Sequence, residues 1–505
     1  MKTKLRFLSP LLIAVMAITL CGCSSGKHES QSVSLQLEDY ETATIGAWAG
    51  SVYEAAVMER LPGATVVNYD TIAEMAQCVV DGKLDAFCVS ECILSALSRV
   101  NDSVRPLEEN IGTYDAGFVV RKDRNDGLLQ DFNAFLGELR DSGELDKMAE
   151  VWMNGDTEPI PSEFSGENGK LVIAMDALNE PFIFLKDGEY MGYDLDIAAR
   201  YCVSRGYELV FVDAPFTMLI PGLNSGEYDM AAGSLEATSE RREVVDFSDP
   251  SYSGGMRLVV KNDEKTDVGF FEALRFSFER TFIRENRWQM FVSGIATTLI
   301  ISAASIVFGS LLGFFLYFIC RGGSKLINKI SGFFMWLVDG MPMVVLLMIL
   351  YYIVFGKAGL SGIWISIIGF TLTFTSSTFG MVSSGVNAVD SGQMEAALAI
   401  GYGANRAFFR MIFPQAVRHI VSPFKSSVIQ HIKLTSIVGY IAVQDLTKMS
   451  DIIRSRTYEA FFPLIVTAVI YFIVEALIIF LISRIEIRLD PVNKDSRLLK
   501  EVKRK

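Results

Sequence analysis

Histidine is scarce in this 505-residue chain. His28, His419 and His431 are the only three, too few and too scattered for an imidazole metal centre. Beyond Cys21 and Cys23 the cysteines are Cys78, Cys88, Cys92, Cys202 and Cys320, an odd set with no tight C-x-x-C pair, which argues against a metal cluster. Cys88 and Cys92 fit one helix turn, a disulfide or neither, and the plain reading is small buried residues. No G-x-x-x-x-G-K-[ST] occurs, so the chain carries no phosphate loop for ATP. No metal or cofactor is expected. Positive charge is short in one half only. Residues 24–262 hold 42 Asp/Glu against 18 Lys/Arg, a surface that would repel nucleic-acid phosphates. Residues 263–505 hold 25 Lys/Arg against 17 Asp/Glu and nearly all the long apolar runs. At 50% hydrophobic residues the chain is too apolar for general disorder. An acidic soluble half therefore precedes a basic membrane half.

Lys2, Lys4 and Arg6 precede an apolar run from Phe7 to Leu20, the pattern of a secretory signal. Leu20-Cys21-Gly22-Cys23 resembles a bacterial lipobox. It implies a lipoprotein-type signal over 1–23 with lipid on Cys23, the alternative being an uncleaved anchor. A linker, 24–40, follows. Apolar runs long enough for a bilayer core cover about 291–319, 332–354, 361–384 and 460–483, with a more polar one at about 421–445. Arg321, Lys325 and Lys329 follow the first run, Arg406, Arg410 and Arg418 lie before the fourth span, and the tail 490–505 is basic. The positive-inside rule puts these segments in the cytoplasm. Five spans over 289–489, with a cytoplasmic C-terminus, leave the acidic half outside.

The loop before the fourth span reads Glu395-Ala396-Ala397, then Gly401, then Ile412-x-Pro414. Met394–Ile400 is made of strong helix formers, Gly401 and Gly403 permit a bend, and Ala404–Ile412 predicts a second short helix that Pro414 ends. Such a compact plug suits a groove in a soluble partner. The pattern resembles the coupling loop of ABC importer permeases, and Gly392-Gln393, Gly340-Met341-Pro342 and Lys433-Leu434-Thr435-Ser436 extend the likeness to permeases for polar amino acids. The resemblance implies a type I ABC importer permease fold, docked on two copies of an ABC ATPase. It also implies a permease homodimer in the bacterial inner membrane.

Residues 170–261 alternate strands and helices: Leu171–Met175, Leu195–Ser204, Glu208–Val212, Met218–Asn224 and Met230–Gly233. The phrases Pro181-Phe182, Gly192-Tyr193-Asp194 and Thr238-Ser239-Glu240-Arg241 resemble lobe 1 of periplasmic polar amino-acid-binding proteins. Residues 41–154 resemble lobe 2 of the same proteins with its return helices. The order is reversed from that of the relatives, so the expected fold is a two-lobed α/β exterior domain (type II, circularly permuted), joined through 155–169. About five membrane helices follow it. The alternative is two half-domains that pair with other chains. Aromatic and basic residues over 262–288 suggest an amphipathic elbow on the lipid surface.

For site residues, the resemblance implies that Arg241 grips the ligand α-carboxylate, shared with the helix N-terminus at Gly50, Ser51 and Val52. The usual ammonium-binding aspartate falls on Ser90, and a lobe 1 serine position falls on Glu236, so Glu236 is expected to supply that carboxylate from the opposite lobe. Ser234 lies beside it. Phe216 matches the apolar wall. Asn179 replaces a second aromatic, for which Trp48 offers a substitute, and Phe182 belongs to the same front of lobe 1. Asp176 matches a position facing polar or basic side chains, or else caps its strand end. The implied function is ATP-driven import of a polar amino acid. The rivals are a ligand-gated channel, for which no filter-like loop is evident, and an exported dehydratase-like enzyme, for which the membrane half would have no role.

Overall fold

The computed structural model describes residues 36–48, 51–69, 71–262, 270–323, 325–356 and 360–489. The expected signal 1–23, Gly50, much of the 24–40 linker and the tail 490–505 lie outside the described residues.

The first half of the chain forms two lobes. Strands β1 (Thr44–Trp48), β2 (Thr65–Tyr69), β3 (Ala86–Ser90) and β4 (Val104–Ala116) come from the first stretch of chain. The apolar run of β3 is buried along its whole length, as a central strand covered on both faces should be. The chain then crosses over. Strand β5 (Val119–Arg121) leaves lobe 2 and pairs antiparallel inside lobe 1. There β6 (Lys170–Met175), the hairpin strands β7 (Leu178–Asn179), β8 (Ile183–Lys186) and β9 (Glu189–Met191), then β10 (Glu208–Asp213), β11 (Met230–Ala231) and β12 (Val245–Phe247) follow. Strand β13 (Tyr252–Lys261) crosses back to pair with β3 and β4. The sheet orders are β2-β1-β3-β13-β4 and β10-β6-β11-β5-β12. Each sheet is thus completed by a strand from the other stretch, and 41–154 and 170–261 are not separate lobes. The two crossings run side by side: Ser248 N donates to Phe118 O at 2.8 Å, and Phe118 N donates to Ser248 Oγ at 3.0 Å.

Local chemistry sets the helix ends. Ser51 and Thr71 cap the helices Val52–Arg60 and Ile72–Val80 through their side chains. Gly226 ends Phe216–Ser225 at φ +79, a left-handed geometry that glycine adopts without strain. The helices Leu128–Asp141 and Glu144–Met153 pack on lobe 1, where Phe132 meets Tyr201 edge-on at 4.9 Å and Trp152 Nε1 donates to Asp196 at 3.2 Å. The joint 155–169 is anchored rather than free, because Ile160 and Phe164 pack against this core. Cys88 lies in a strand and Cys92 in the Glu91–Val100 helix, both as buried free thiols, so neither a shared helix turn nor a disulfide forms.

In the membrane half, Trp288–Gly322, Gly362–Asn387 and the apolar part of Phe462–Leu489 are long and apolar enough to cross a bilayer. The run expected over 332–354 is instead a pair, Lys325–Asp339 and Met343–Val354, bent by 105° at Gly340-Met341-Pro342. Proline removes a backbone donor there and disfavours a helical residue before it. That makes up to four spans by length and composition among the described residues, not five. The more polar helix is Phe413–Leu434, earlier than the expected 421–445. Its Lys425 and Lys433 pair with Glu486 and Glu475 of the last helix at 2.7 and 2.9 Å. Pro414 does not end the second short helix. Ala404–Ala407 continues through a π turn, Phe408–Ile412, into Phe413–Leu434, and Pro414 follows directly on that π turn. Gly309 and Gly313, four apart, let Trp288–Gly322 approach Gly362–Asn387: a Cβ on Gly313 would lie 2.5 Å from Thr375 O. In the elbow, a helix, Phe270–Phe278, with Phe271, Leu274 and Phe276 exposed, runs on into a π turn, Glu279–Ile283.

Candidate functional site

The cleft between the lobes begins with two rings. Trp48, at the end of β1 in lobe 2, reaches Phe216 at the start of a lobe 1 helix, with centroids 5.5 Å apart. The Arg241 guanidinium lies over the Phe216 ring, 5.2 Å from its centroid. Arg241 sits in the Ser239–Val244 helix, whose cap Thr238 accepts from Arg241 N at 3.2 Å. Its Nη1 donates to Glu236 Oε2 at 2.8 Å and to Glu236 O at 3.0 Å. Glu236 is bridged to the hinge residue Ala116 and is buried. Burial pushes its carboxyl above the usual range, and Arg241 pulls it part of the way back. The expected cation and the expected carboxylate are therefore brought together as an ion pair, with Glu236 buried and Arg241 half-buried.

The other expected residues divide. Ser51 is the N-cap of Val52–Arg60, and its Oγ also donates to Trp48 O at 2.7 Å. Ser90 is fully buried, with Oγ 3.0 Å from Cys92 Sγ. The neighbouring Glu91 is taken by Arg257 at 2.6 Å. Ser234 has φ +56, and its N–H, with that of Gly233, donates to Asp194 Oδ2 at 2.9 Å. This gives the Gly192-Tyr193-Asp194 phrase a structural job: Asp194 holds the turn from which Glu236 projects. Asn179 Nδ2 donates to Gly233 O at 2.8 Å in the same region. Phe182 sits in the core, edge-on to Tyr193 and Tyr252, so it supports the hinge rather than lining the cleft.

Asp176 combines both readings of its position. Its carboxylate accepts from Phe216 N at 2.9 Å and Leu178 N at 3.3 Å, which is a cap. It also faces a cation that sequence reasoning missed, Lys448, at 3.3 Å, with Asp213 3.6 Å away on the same ammonium. Lys448 belongs to the helix Leu446–Thr457, between the last two membrane helices. This helix packs on both lobes, touching the Ile72–Val80 helix and β7. Arg456, on the same helix, donates to Leu185 O at 3.0 Å and Glu285 Oε1 at 2.9 Å. Gln444 donates to the Tyr190 hydroxyl. The signal was present: Asp445 is an N-cap residue, and Met449, Ile452 and Ile453 alternate with Lys448, Asp451 and Arg454 at helical spacing.

At the opposite end, the segment around Glu395, Ala396 and Ala397 is a helix, Ser391–Ala399, capped by Asp390 accepting from Gly392 N at 2.7 Å. Gly401, at φ +89, turns the chain. Ala397 is buried, and Ile412 and Phe408 pack with Tyr317 and Val382, while Leu398 and Ile400 stay exposed. The Arg321 guanidinium lies 4.1 Å over Phe408 and donates to Ala404 O at 3.1 Å. A loop fixed from behind thus presents an apolar tip.

The model of the bacterial extracellular solute-binding proteins, family 3, matches residues 171–504, about two thirds of the chain. The chain belongs to this family. It is also homologous to amino-acid ABC permeases. A Rickettsia bellii protein named as a glutamine transport system permease, GlnP, is 30% identical over 203 residues, 39% of this chain and 92% of that protein. The arginine transport system permease protein ArtQ of Bacillus subtilis is 29% identical over 212 residues, 39% of this chain and 91% of its own length. A Campylobacter jejuni protein named for histidine binding is 41% identical over 86 residues, 17% of this chain and 34% of that protein. A solute-binding domain and a multi-pass membrane domain are therefore joined in one chain, and the relatives of its membrane half are transporter subunits rather than enzymes.

Proposed function

We propose that this chain is the combined capture and membrane subunit of an ATP-driven amino-acid importer. The observation that carries the reading is the Arg241–Glu236 pair, 2.8 Å apart beside Trp48 and Phe216. A free α-amino acid bears a carboxylate and an ammonium on one carbon, and it can satisfy both charges of such a pair at once. Arg241 takes the carboxylate together with the N-terminus of the Val52–Arg60 helix, which favours an anion. Glu236 takes the ammonium, and the aromatic pair packs the side chain.

Lobe closure then carries the ligand to a permease that is always near. Tethering replaces a bimolecular encounter by an intramolecular one and raises the effective concentration of loaded clamp. The lobe order is read as a circular permutation, a change tolerated where termini are exposed and close together. The clamp faces the outside and the Glu395–Pro414 loop the cytoplasm, where ATPase subunits dock. Two copies of the chain and two ATPases make the translocation path in the bacterial inner membrane.

Glu236→Ala tests the assignment. Losing a charge-assisted contact to the ammonium should weaken amino-acid binding by the full chain at least about tenfold in a calorimetric titration. Unchanged affinity would refute the role of Glu236 from lobe 1.

A further inference from the structure

Lys448 belongs to the membrane half by chain order, yet its ammonium is buried in the exterior clamp. It lies between Asp176 and Asp213, at the ends of adjacent parallel strands β6 and β10. Asp176 also holds Phe216 N, so this carboxylate is one residue contact away from the Trp48–Phe216 rings. The stem is held as firmly as the head. Asp445 caps its helix, accepting from Lys448 N at 3.0 Å, and a Cβ on Gly294 of the first membrane helix would lie 2.7 Å from Leu446 Cα, so that helix approaches too closely for a side chain. Burial works against the Lys448 charge, but Asp176 and Asp213 outweigh it and raise its pKa above the ordinary lysine range. Asp213 also accepts from Ala177 N at 3.2 Å and from the Tyr190 hydroxyl at 3.1 Å, but two buried carboxylates this close together still call for a cation.

We propose that Lys448 is a built-in competitor for the cation subsite of the clamp, and that the substrate is an amino acid with a positively charged side chain. This rests on the amino-acid reading above and names its substrate class. With the clamp loaded, the ligand's side-chain cation pairs with Asp176 and Asp213. When the clamp seats on the membrane domain, Lys448 takes those carboxylates and the ligand loses its side-chain anchor. A cavity of about 330 Å³ opens beside the same helix, where Met449, the residue after Lys448, lines it with Leu185, Asp187, Gln289, Ser293 and Gln444. Glu285, also on its wall, is paired with Arg287 and Arg456, so Asp187 and the amides of Gln289 and Gln444 are the groups that would meet a released cation, and Gln289 and Ser293 lie on the first membrane helix. Lys448 is thus a specificity and release residue: it displaces a basic ligand by charge and has nothing to exchange with a neutral one.

The test is calorimetric titration of the full chain in lipid nanodiscs with L-arginine and with L-glutamine as probes. A competitor that occupies the subsite in most molecules lowers apparent affinity by the fraction left open, so Lys448→Met should tighten arginine binding about tenfold or more relative to wild type. Glutamine affinity should change little, and Lys448→Arg should behave like wild type. If Lys448→Met does not fold, Lys448→Gln, which keeps a donor without the charge, carries the same expectation. Equal arginine affinities in wild type and Lys448→Met, with heat that Arg241→Ala abolishes, would overturn this inference alone. No heat from any amino acid would overturn the amino-acid reading as well.

Discussion

Arg241→Ala should abolish amino-acid binding, raising the Kd by at least about a hundredfold. Each charge-assisted hydrogen bond contributes roughly 1.5–3 kcal/mol, and a guanidinium can make two to one carboxylate. The geometry adds a second penalty. Glu236 is buried and its carboxylate is bonded to Arg241 at 2.8 Å. Without the guanidinium, that buried charge has lost its partner and would face the ligand carboxylate directly. The cation above Phe216 is lost as well. Arg241→Lys should retain part of the affinity, because an ammonium supplies charge without the planar fork. Calorimetry on the full chain reads both variants, and a Kd within a few-fold of wild type for Arg241→Ala would remove this residue from the site.

Gly401→Val should separate capture from transport. Gly401 holds φ +89, and no atom lies within 4 Å of the position a Cβ would take. The obstacle is therefore conformational rather than steric crowding. A β-branched residue pays more than about 1–2 kcal/mol in this region, so the turn between Ser391–Ala399 and Ala404–Ala407 should reshape. That moves the exposed Leu398 and Ile400 relative to the anchored Phe408. ATP-driven uptake should fall about tenfold or more, while amino-acid binding outside stays at the wild-type value. Uptake at wild-type rate would show that the shape of this loop does not matter to coupling.

Much of the two-lobed fold was legible because its signals are local. Ser51, Thr71 and Gly226 mark helix ends by their own chemistry, and the expected Met218–Asn224 helix lies within the observed Phe216–Ser225. The crossing strands were harder. β5 is three residues long and gains meaning only from partners more than a hundred residues away, such as Phe247 against Val119. In the membrane, hydropathy marked apolar stretches but not their direction, so the 105° break at Met341-Pro342 read as one span. Phe413–Leu434 was misplaced because Arg418, Lys425 and Lys433 dilute its apolar character, while its charges find partners on the last helix. At the site, residue types pointed to Arg241 and Glu236 but not to their mutual pairing. Lys448 was invisible as a site residue, since it enters from the other half of the chain, 272 positions beyond Asp176.

The central claim is that one chain provides both capture and passage. The direct measurement is uptake of labelled amino acids by proteoliposomes holding the full chain with its co-purified ATPase, ATP inside, and no soluble binding protein added. The account predicts ATP-dependent accumulation that Arg241→Ala abolishes. Uptake that appears only when a separate binding protein is supplied, or that survives Arg241→Ala, would contradict it.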